Sequence, residues 1–330
     1  MNVAITGASG HIGAAVCRQL VQEGHNVRIL VRPASPPSPG LQQLPLERIP
    51  GDLEDTASLE RLCAGARVVF HLAAQISIGR VPEQRLQEIN VAGTGRLIDA
   101  CRKQGVQRLI HFSSAHAYAV VPPHLPFDET APLATAFPYE RSKAAAQVLV
   151  LAANQPGVLD TICLNPTAVL GPWDSKPSLQ GKMMLDLWHG RIPALTPGGY
   201  DWVDNRDVAR AAAAAMTMGM PGEAYLLSGH YASILDLAAL LGRITGRPMP
   251  TRSIPFALLR ALVPAVGAWA SIRGTEPLFT RESIAHVAGG HPNVSHAKAS
   301  RHLQYHPRPL EDTLRDTWDW LYTYWINSKV

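Results

Sequence analysis

Close to the start of the chain, the strand-like Asn2-Val3-Ala4-Ile5 runs into Thr6-Gly7-Ala8-Ser9-Gly10-His11-Ile12-Gly13, and the residues that follow place their apolar side chains at helical spacing. Few folds accept a glycine-rich turn set so tightly between a strand and a helix. One glycine makes the turn, one lets backbone approach a pyrophosphate, and one lets helix pack closely on strand. The helix N-terminus then turns free N–H groups and the positive end of its dipole toward an anion. The pattern predicts the front half of a dinucleotide-binding unit, with Gly7, Ser9, Gly10, His11, Ile12 and Gly13 around the phosphates.

The rest of the first half keeps this alternation. Strands are expected at 26–31, 68–72, 108–112 and 159–164, and helices at 11–23, 55–63, 83–104 and 138–154. Near-continuous apolar strands separated by helices imply a parallel sheet covered on both faces. The expected fold is therefore α/β, a doubly wound Rossmann-type parallel sheet with a smaller, mainly helical C-terminal substrate lobe. The dinucleotide-binding domain takes residues 1–172, with 201–228 returning to it, and the lobe takes 173–200 and 229–330. A chain of 330 residues exceeds the usual size of a single core, which fits a domain with an appended lobe.

Composition narrows the function classes. With 46% hydrophobic and 17% charged residues the chain has ample material for a core, and a net charge of +4 without a basic block gives no nucleic-acid signature. Cys17, Cys63, Cys101 and Cys163 lie far apart in expected helices and strands, which suits reduced, buried thiols of a cytoplasmic protein. No signal peptide or membrane partner is expected, because the chain opens on a strand and its most apolar stretch, 254–272, is broken by Pro255, Arg260 and Pro264.

Cofactor choice turns on Arg32, directly after the second strand, where an NAD-selective protein would place an acid for the ribose 2′-hydroxyl. A guanidinium suits a 2′-phosphate, so NADP is expected ahead of NAD. Asp52 and Leu53 fall where an adenine contact belongs. Further on, Tyr139 and Lys143 stand four apart in an expected helix, so phenol and ammonium share a face. The ammonium would favour phenolate and pull the tyrosine's pKa toward neutrality. Ser113 and Ser114, just after the strand at 108–112, lie at the carboxyl edge of the sheet, where ligands bind, and offer a hydroxyl to polarise a carbonyl.

Taken in order, Thr6–Gly13, Gly51-Asp52-Leu53, His71-Leu72-Ala73-Ala74, Asn90-Val91-Ala92-Gly93-Thr94, Phe112-Ser113-Ser114, Tyr139 with Lys143, Asn165-Pro166 with the residues to Pro172, and Trp202-Val203-Asp204 make a specific set. On it the chain resembles extended short-chain dehydrogenases/reductases, the group also described as NAD-dependent epimerase/dehydratase. The resemblance implies Ser114 as the catalytic hydroxyl, placed four residues before Tyr118, with Ser113 beside the cofactor. It implies Tyr139 as acid/base, Lys143 on the nicotinamide ribose, Ala73, Ala74 and Asn90 along the cofactor cleft, and Asn165-Pro166 bordering nicotinamide and substrate. Nucleotide-sugar enzymes of the group usually carry an arginine where Tyr200 stands here, and dehydratases place acids where this chain has Ala115-His116. Together with Gly171-Pro172-Trp173 and Arg32, those departures resemble the dihydroflavonol-reductase-like branch. The expected activity is NADP(H)-dependent reduction of a ketone or aldehyde, or oxidation of the alcohol, with His116 and Tyr200 toward the substrate. A nucleotide-sugar epimerase or dehydratase is the alternative, a non-catalytic cofactor sensor a more distant one, and a homodimer an assembly the group allows.

Histidines 286, 291, 296, 302 and 306 crowd one C-terminal stretch, but their spacing has no zinc-like pairing and no metal is expected. His71, at a strand end, reads as a hydrogen-bonded core residue. The apolar helix expected over 256–272 reads as lobe packing.

Overall fold

A computed structural model describes residues 1–33, 38–76, 81–273 and 279–327, so residues 34–37 of the proline- and serine-rich loop at 32–40 lie outside the described residues. Strands β1 (Asn2–Thr6), β2 (Asn26–Val31), β3 (Leu46–Pro50), β4 (Val68–His71), β5 (Arg108–Phe112) and β6 (Asp160–Pro166) enter one sheet. Two further strands, β7 (Ala168–Leu170) and β8 (Gly199–Asp204), lie elsewhere, and β9 (Glu223–Leu227) closes the sheet as its seventh member. The order β3-β2-β1-β4-β5-β6-β9 is parallel throughout. Strand order reverses between β1 and β4, the topological switch point at whose carboxyl edge such sheets bind ligands.

Both faces are covered, as unbroken apolar strands require. Helices α1 (His11–Gln22), α2 (Thr56–Cys63), α3 (Glu83–Leu86), α4 (Gly93–Lys103), α5 (Pro138–Ala152), α6 (Leu179–Trp188) and α7 (Asn205–Ala214) follow in chain order. On one face α1 and α7 bury Val16, Leu20, Val208 and Ala212 against Ile5, Ile29, Phe70 and Ile110. On the other, α2, α4 and α5 bury Leu59, Leu62, Leu97 and Val150 against Ala4, Val69 and Leu109. Between α3 and α4 the helix widens to π geometry over Gln87–Ala92, so the expected helix at 83–104 is continuous but not uniform. Such bulges gather at functional sites, and this one holds Asn90.

The four cysteines are buried and free. Of the segment 201–228, α7 and β9 pack with the large sheet, whereas β8 joins β7 and β10 (His230–Ser233) in a separate three-stranded sheet. The lobe thus contains a small sheet that the sequence does not announce, because β10 is His-Tyr-Ala-Ser and β7 only three residues long. Helices α8 (Ile234–Thr245), α9 (Phe256–Arg273), α10 (Arg281–Ala288), α11 (Ala297–Leu303) and α12 (Leu310–Leu321) complete the chain. Trp202 of β8, with Leu237 and Leu241 of α8, Met184 of α6 and Leu314 and Trp318 of α12, forms the lobe core.

Candidate active site

The turn after β1 is built for close approach. Gly7 has φ +74°, and a Cβ there would meet the Ala73 nitrogen at 2.5 Å and the Leu72 carbonyl carbon at 2.6 Å. A Cβ on Gly13 would collide with the Gly7 carbonyl oxygen and come within 2.8 Å of Ala8 Cα. No side chain caps α1, whose N-cap is Gly10, and its first turn holds no acid, so its leading N–H groups face outward unpaired by side chains. These residues fit a pyrophosphate. Ser9 and Gly10 are exposed and Ile12 half-buried, and His11 Nε2 pairs with the Gly171 carbonyl at 3.0 Å. That contact joins the turn to the segment leaving β7.

Around the switch point the other expected cofactor residues divide into two sets. Arg32 is exposed directly beyond β2 and, among the described residues, makes no hydrogen bond or ion pair. Asp52 spends one carboxylate oxygen on the N–H groups of Glu54 (2.8 Å) and Asp55 (3.2 Å), ahead of α2. Leu53 is buried against Gly93. Ala73 and Ala74 line the segment after β4, which Asn90 pins in place. Asn90 Oδ1 accepts from Gln75 N at 2.7 Å, and its Nδ2 donates to Gln75 O and to Ser142 Oγ, both at 3.0 Å. These bonds place the Asn90 amide in the cleft wall.

Beyond β5 and β6 the polar groups are left open. Ser113 Oγ and Asn165 Oδ1 are buried with no hydrogen-bond partner among the described residues, the condition expected of atoms that meet a ligand. Asn165 Nδ2 donates to the Ser114 carbonyl (2.9 Å) and to Gln147 Oε1 (2.6 Å), and Gln147 Nε2 donates to the Tyr118 hydroxyl (3.0 Å). Pro166 ends β6 beside them. Ser114 Oγ accepts the His116 N–H at 3.1 Å, which fixes the rotamer and leaves its own hydrogen free to donate.

Lys143 is buried on α5, and its ammonium donates to the Phe112 carbonyl at 2.7 Å, tying the helix to the end of β5. Burial lowers its pKa to about 8, opposed weakly by Cys163. Tyr139, one turn earlier on the same face, has a hydroxyl without a hydrogen-bond partner among the described residues. Its pKa is pushed up to about 12, first by burial and then by the Glu282 carboxylate. The expected lowering by Lys143 is corrected here, because that ammonium is engaged by Phe112 O and no positive partner offsets the desolvation of Tyr139.

Proximity not legible in sequence joins the lobe to this helix. His286 Nε2 of α10 meets Glu140 Oε1 at 2.9 Å, and Glu140 Oε2 accepts the Phe137 N–H that opens α5. The His116 ring lies 4.2 Å from that of His286, and burial depresses its pKa to about 4. His116, Glu140 and His286 thus bring ligand-type atoms within 4.8 Å of one another. One member of the discounted histidine run therefore lies next to the catalytic helix, while His291, His296 and His302 pair elsewhere. Tyr200 is not part of this group: it sits in β8 with its ring edge-on to Trp202, against the lobe core. His71 is hydrogen-bonded on both ring nitrogens, to Thr6 and Thr94.

The model of the NAD-dependent epimerase/dehydratase family matches residues 3–228, from β1 through β9. The chain belongs to this family. It is an NAD(P)-dependent enzyme of the extended short-chain dehydrogenase/reductase kind. Among relatives, Sterol demethylase protein B of Methylococcus capsulatus is 37% identical over 264 residues, covering 79% of this chain and 80% of its own. A putative dihydroflavonol 4-reductase of Synechocystis is 32% identical over 287 residues, 85% of this chain and 81% of its own. The solved structure of gox2253 superposes with a TM-score of 0.85 at 33% identity, covering 98% of each chain. The family match takes in the glycine turn, Ser113-Ser114 and the Tyr139–Lys143 pair, and stops short of α8 to α12.

Proposed function

We propose that this family member is an NADP(H)-dependent carbonyl reductase or alcohol dehydrogenase acting on an extended apolar alcohol or ketone. The observation that carries the reading is the Ser114 hydroxyl, oriented by the His116 N–H with its own hydrogen left free, at the carboxyl edge of β5. A bound nicotinamide supplies the hydride when a carbonyl is reduced and accepts it when the alcohol is oxidised. Ser114 donates to the substrate oxygen and so stabilises the charge that grows there. The Tyr139 hydroxyl delivers the proton to that oxygen, or takes it back in the reverse direction. An ammonium that holds the Phe112 carbonyl keeps the strand end and the tyrosine helix in register. Gly7, Gly10 and Gly13 hold the pyrophosphate, Arg32 the 2′-phosphate, and Ser113 and Asn165 border the nicotinamide.

Similarity to a sterol demethylase component and to a putative dihydroflavonol 4-reductase supports a polycyclic or otherwise apolar substrate. Tyr200, where nucleotide-sugar enzymes would place an arginine, supports it as well, since a phenol packed on Trp202 offers no charge to a diphosphate. The second reading, a nucleotide-sugar epimerase or dehydratase, draws on the family's breadth. Calorimetric titration with NADPH and NADH, followed by NADPH oxidation against ketone and aldehyde panels, tests the proposal. Tighter NADPH binding with ketone-dependent oxidation is expected; tighter NADH binding with turnover of nucleotide sugars would replace this reading with the second.

A further inference from the structure

Helix α9 presents an apolar surface to solvent. Leu258, Leu262, Ala265 and Trp269, spaced i, i+4, i+7 and i+11, form one exposed stripe, with Leu258 51%, Leu262 40% and Trp269 50% accessible. The neighbouring stripe, Leu259, Val263, Val266 and Ala270, faces the protein, and only Leu259 and Ala270 of it are fully buried. A helix apolar around most of its circumference belongs in a core or against lipid, and here only Leu259 and Ala270 are fully buried. Pro264 lies inside the helix, and no described helix is long and apolar enough to cross a membrane. The helix can therefore lie along an apolar boundary but cannot traverse one.

Charge indicates which boundary. From residue 237 to 275 the sequence contains no aspartate or glutamate but five arginines, at 243, 247, 252, 260 and 273. Arg252, Arg260 and Arg273 are exposed and make no ion pair among the described residues. Arg273 lies over the Trp269 ring at 4.6 Å, so the exposed indole carries a cation beside it. Within α9, apolar side chains, an indole and arginines, with no acid among them, make up the surface of an interfacial helix. We propose that α9 docks this enzyme on an anionic phospholipid surface, with the Leu258–Trp269 stripe at acyl-chain depth and the arginines among the headgroup phosphates. This departs from the expectation that the helix is ordinary lobe packing and that no membrane is a partner.

The placement serves a lipophilic substrate, a point that rests on the functional reading above. Helix α9 packs on α10, whose His286 reaches Glu140 beside Tyr139, so the docked helix lies one helix away from the catalytic wall.

The test is flotation of the full-length protein with phosphatidylcholine vesicles, with and without phosphatidylglycerol. Neither substrate nor cofactor enters the assay, so its outcome is separate from that of the functional reading. Flotation with the anionic vesicles is expected, reduced by high salt and weakened at least about tenfold by Leu258→Glu with Trp269→Glu. Both side chains are half exposed, and an unchanged circular dichroism melt shows that the variant is folded. No flotation with either vesicle overturns the proposal, as does equal flotation by the folded variant. A wild-type dimer in sedimentation velocity that the same substitutions split also overturns it, by showing that a second copy covers the stripe.

Discussion

The buried histidines under the cofactor turn predict a specific loss of stability in mild acid. His71 is 1% exposed, between Thr6 Oγ1 on its Nδ1 (2.7 Å) and Thr94 Oγ1 on its Nε2 (2.8 Å). Thr94 Oγ1 donates its hydrogen to the Asn90 carbonyl, so it accepts from Nε2–H, and Nδ1 is left as the acceptor of the Thr6 hydroxyl. That network uses the neutral ring. Burial, with Lys143 nearby, lowers the His71 pKa from 6.5 to about 3. The folded value lies below the unfolded one, so the contribution is complete above pH 6.5 and is lost as pH falls toward 3. Over the first 1.5 units below the unfolded value the loss is about 2 kcal/mol from His71 alone. Burial moves His111 and His116 in the same direction and deepens the slope. Urea unfolding followed at about pH 8 and about pH 5, above the main carboxylate range, reads this directly. His111→Leu sharpens the test, because both ring nitrogens of His111 are buried without partners and no hydrogen bond is lost. That variant should match or exceed the wild type near pH 8, by up to about 2 kcal/mol, and show a shallower acid slope. A urea midpoint that holds across the interval, or a steeper slope in His111→Leu, would refute the reasoning.

Other consequences follow from the same contacts. Gly13→Ala forces a methyl onto the Gly7 carbonyl, which backbone cannot evade, so a stability loss of about 1–3 kcal/mol and weaker cofactor binding are expected by thermal melt and calorimetry. Arg32→Asp should shift preference from NADPH toward NADH, and an unchanged ratio of dissociation constants removes Arg32 from the cofactor site. Glu140→Ala breaks both the Phe137 cap and the His286 contact, and a lowered Tm worth about 1–3 kcal/mol is expected; an unchanged Tm would mean the lobe is held by other contacts.

Much of the sheet was legible because its central strands are buried on both faces and so read as apolar runs, β4 and β5 among them. The glycine turn was legible because steric demands leave no other residue at Gly7 and Gly13. The small sheet was not, since short strands such as β10 owe their conformation to pairing with β8 and not to any apolar pattern of their own. The site was half legible. Tyr139 and Lys143 share a helix face by period alone, but whether the ammonium tunes the phenol depends on where Nζ finds an acceptor, and it finds Phe112 O. Asn90 carried a cofactor assignment by position, and the bonds of its amide to Gln75 and Ser142 were not legible. The Glu140–His286 contact joins residues 146 apart in the chain, and nothing local in the sequence marks it.

The central claim is that the Tyr139 hydroxyl moves the proton at a site ordered by Ser114 and Lys143. Its most direct test is turnover of Tyr139→Phe beside wild type, with NADPH and a carbonyl substrate that the wild type reduces, and with NADPH affinity measured on the same samples. The account predicts a fall in kcat of at least about a hundredfold with NADPH affinity nearly unchanged, because one oxygen is removed and the residues proposed for the phosphates, Gly7, Gly10, Gly13 and Arg32, are untouched. Wild-type turnover in that variant would contradict it.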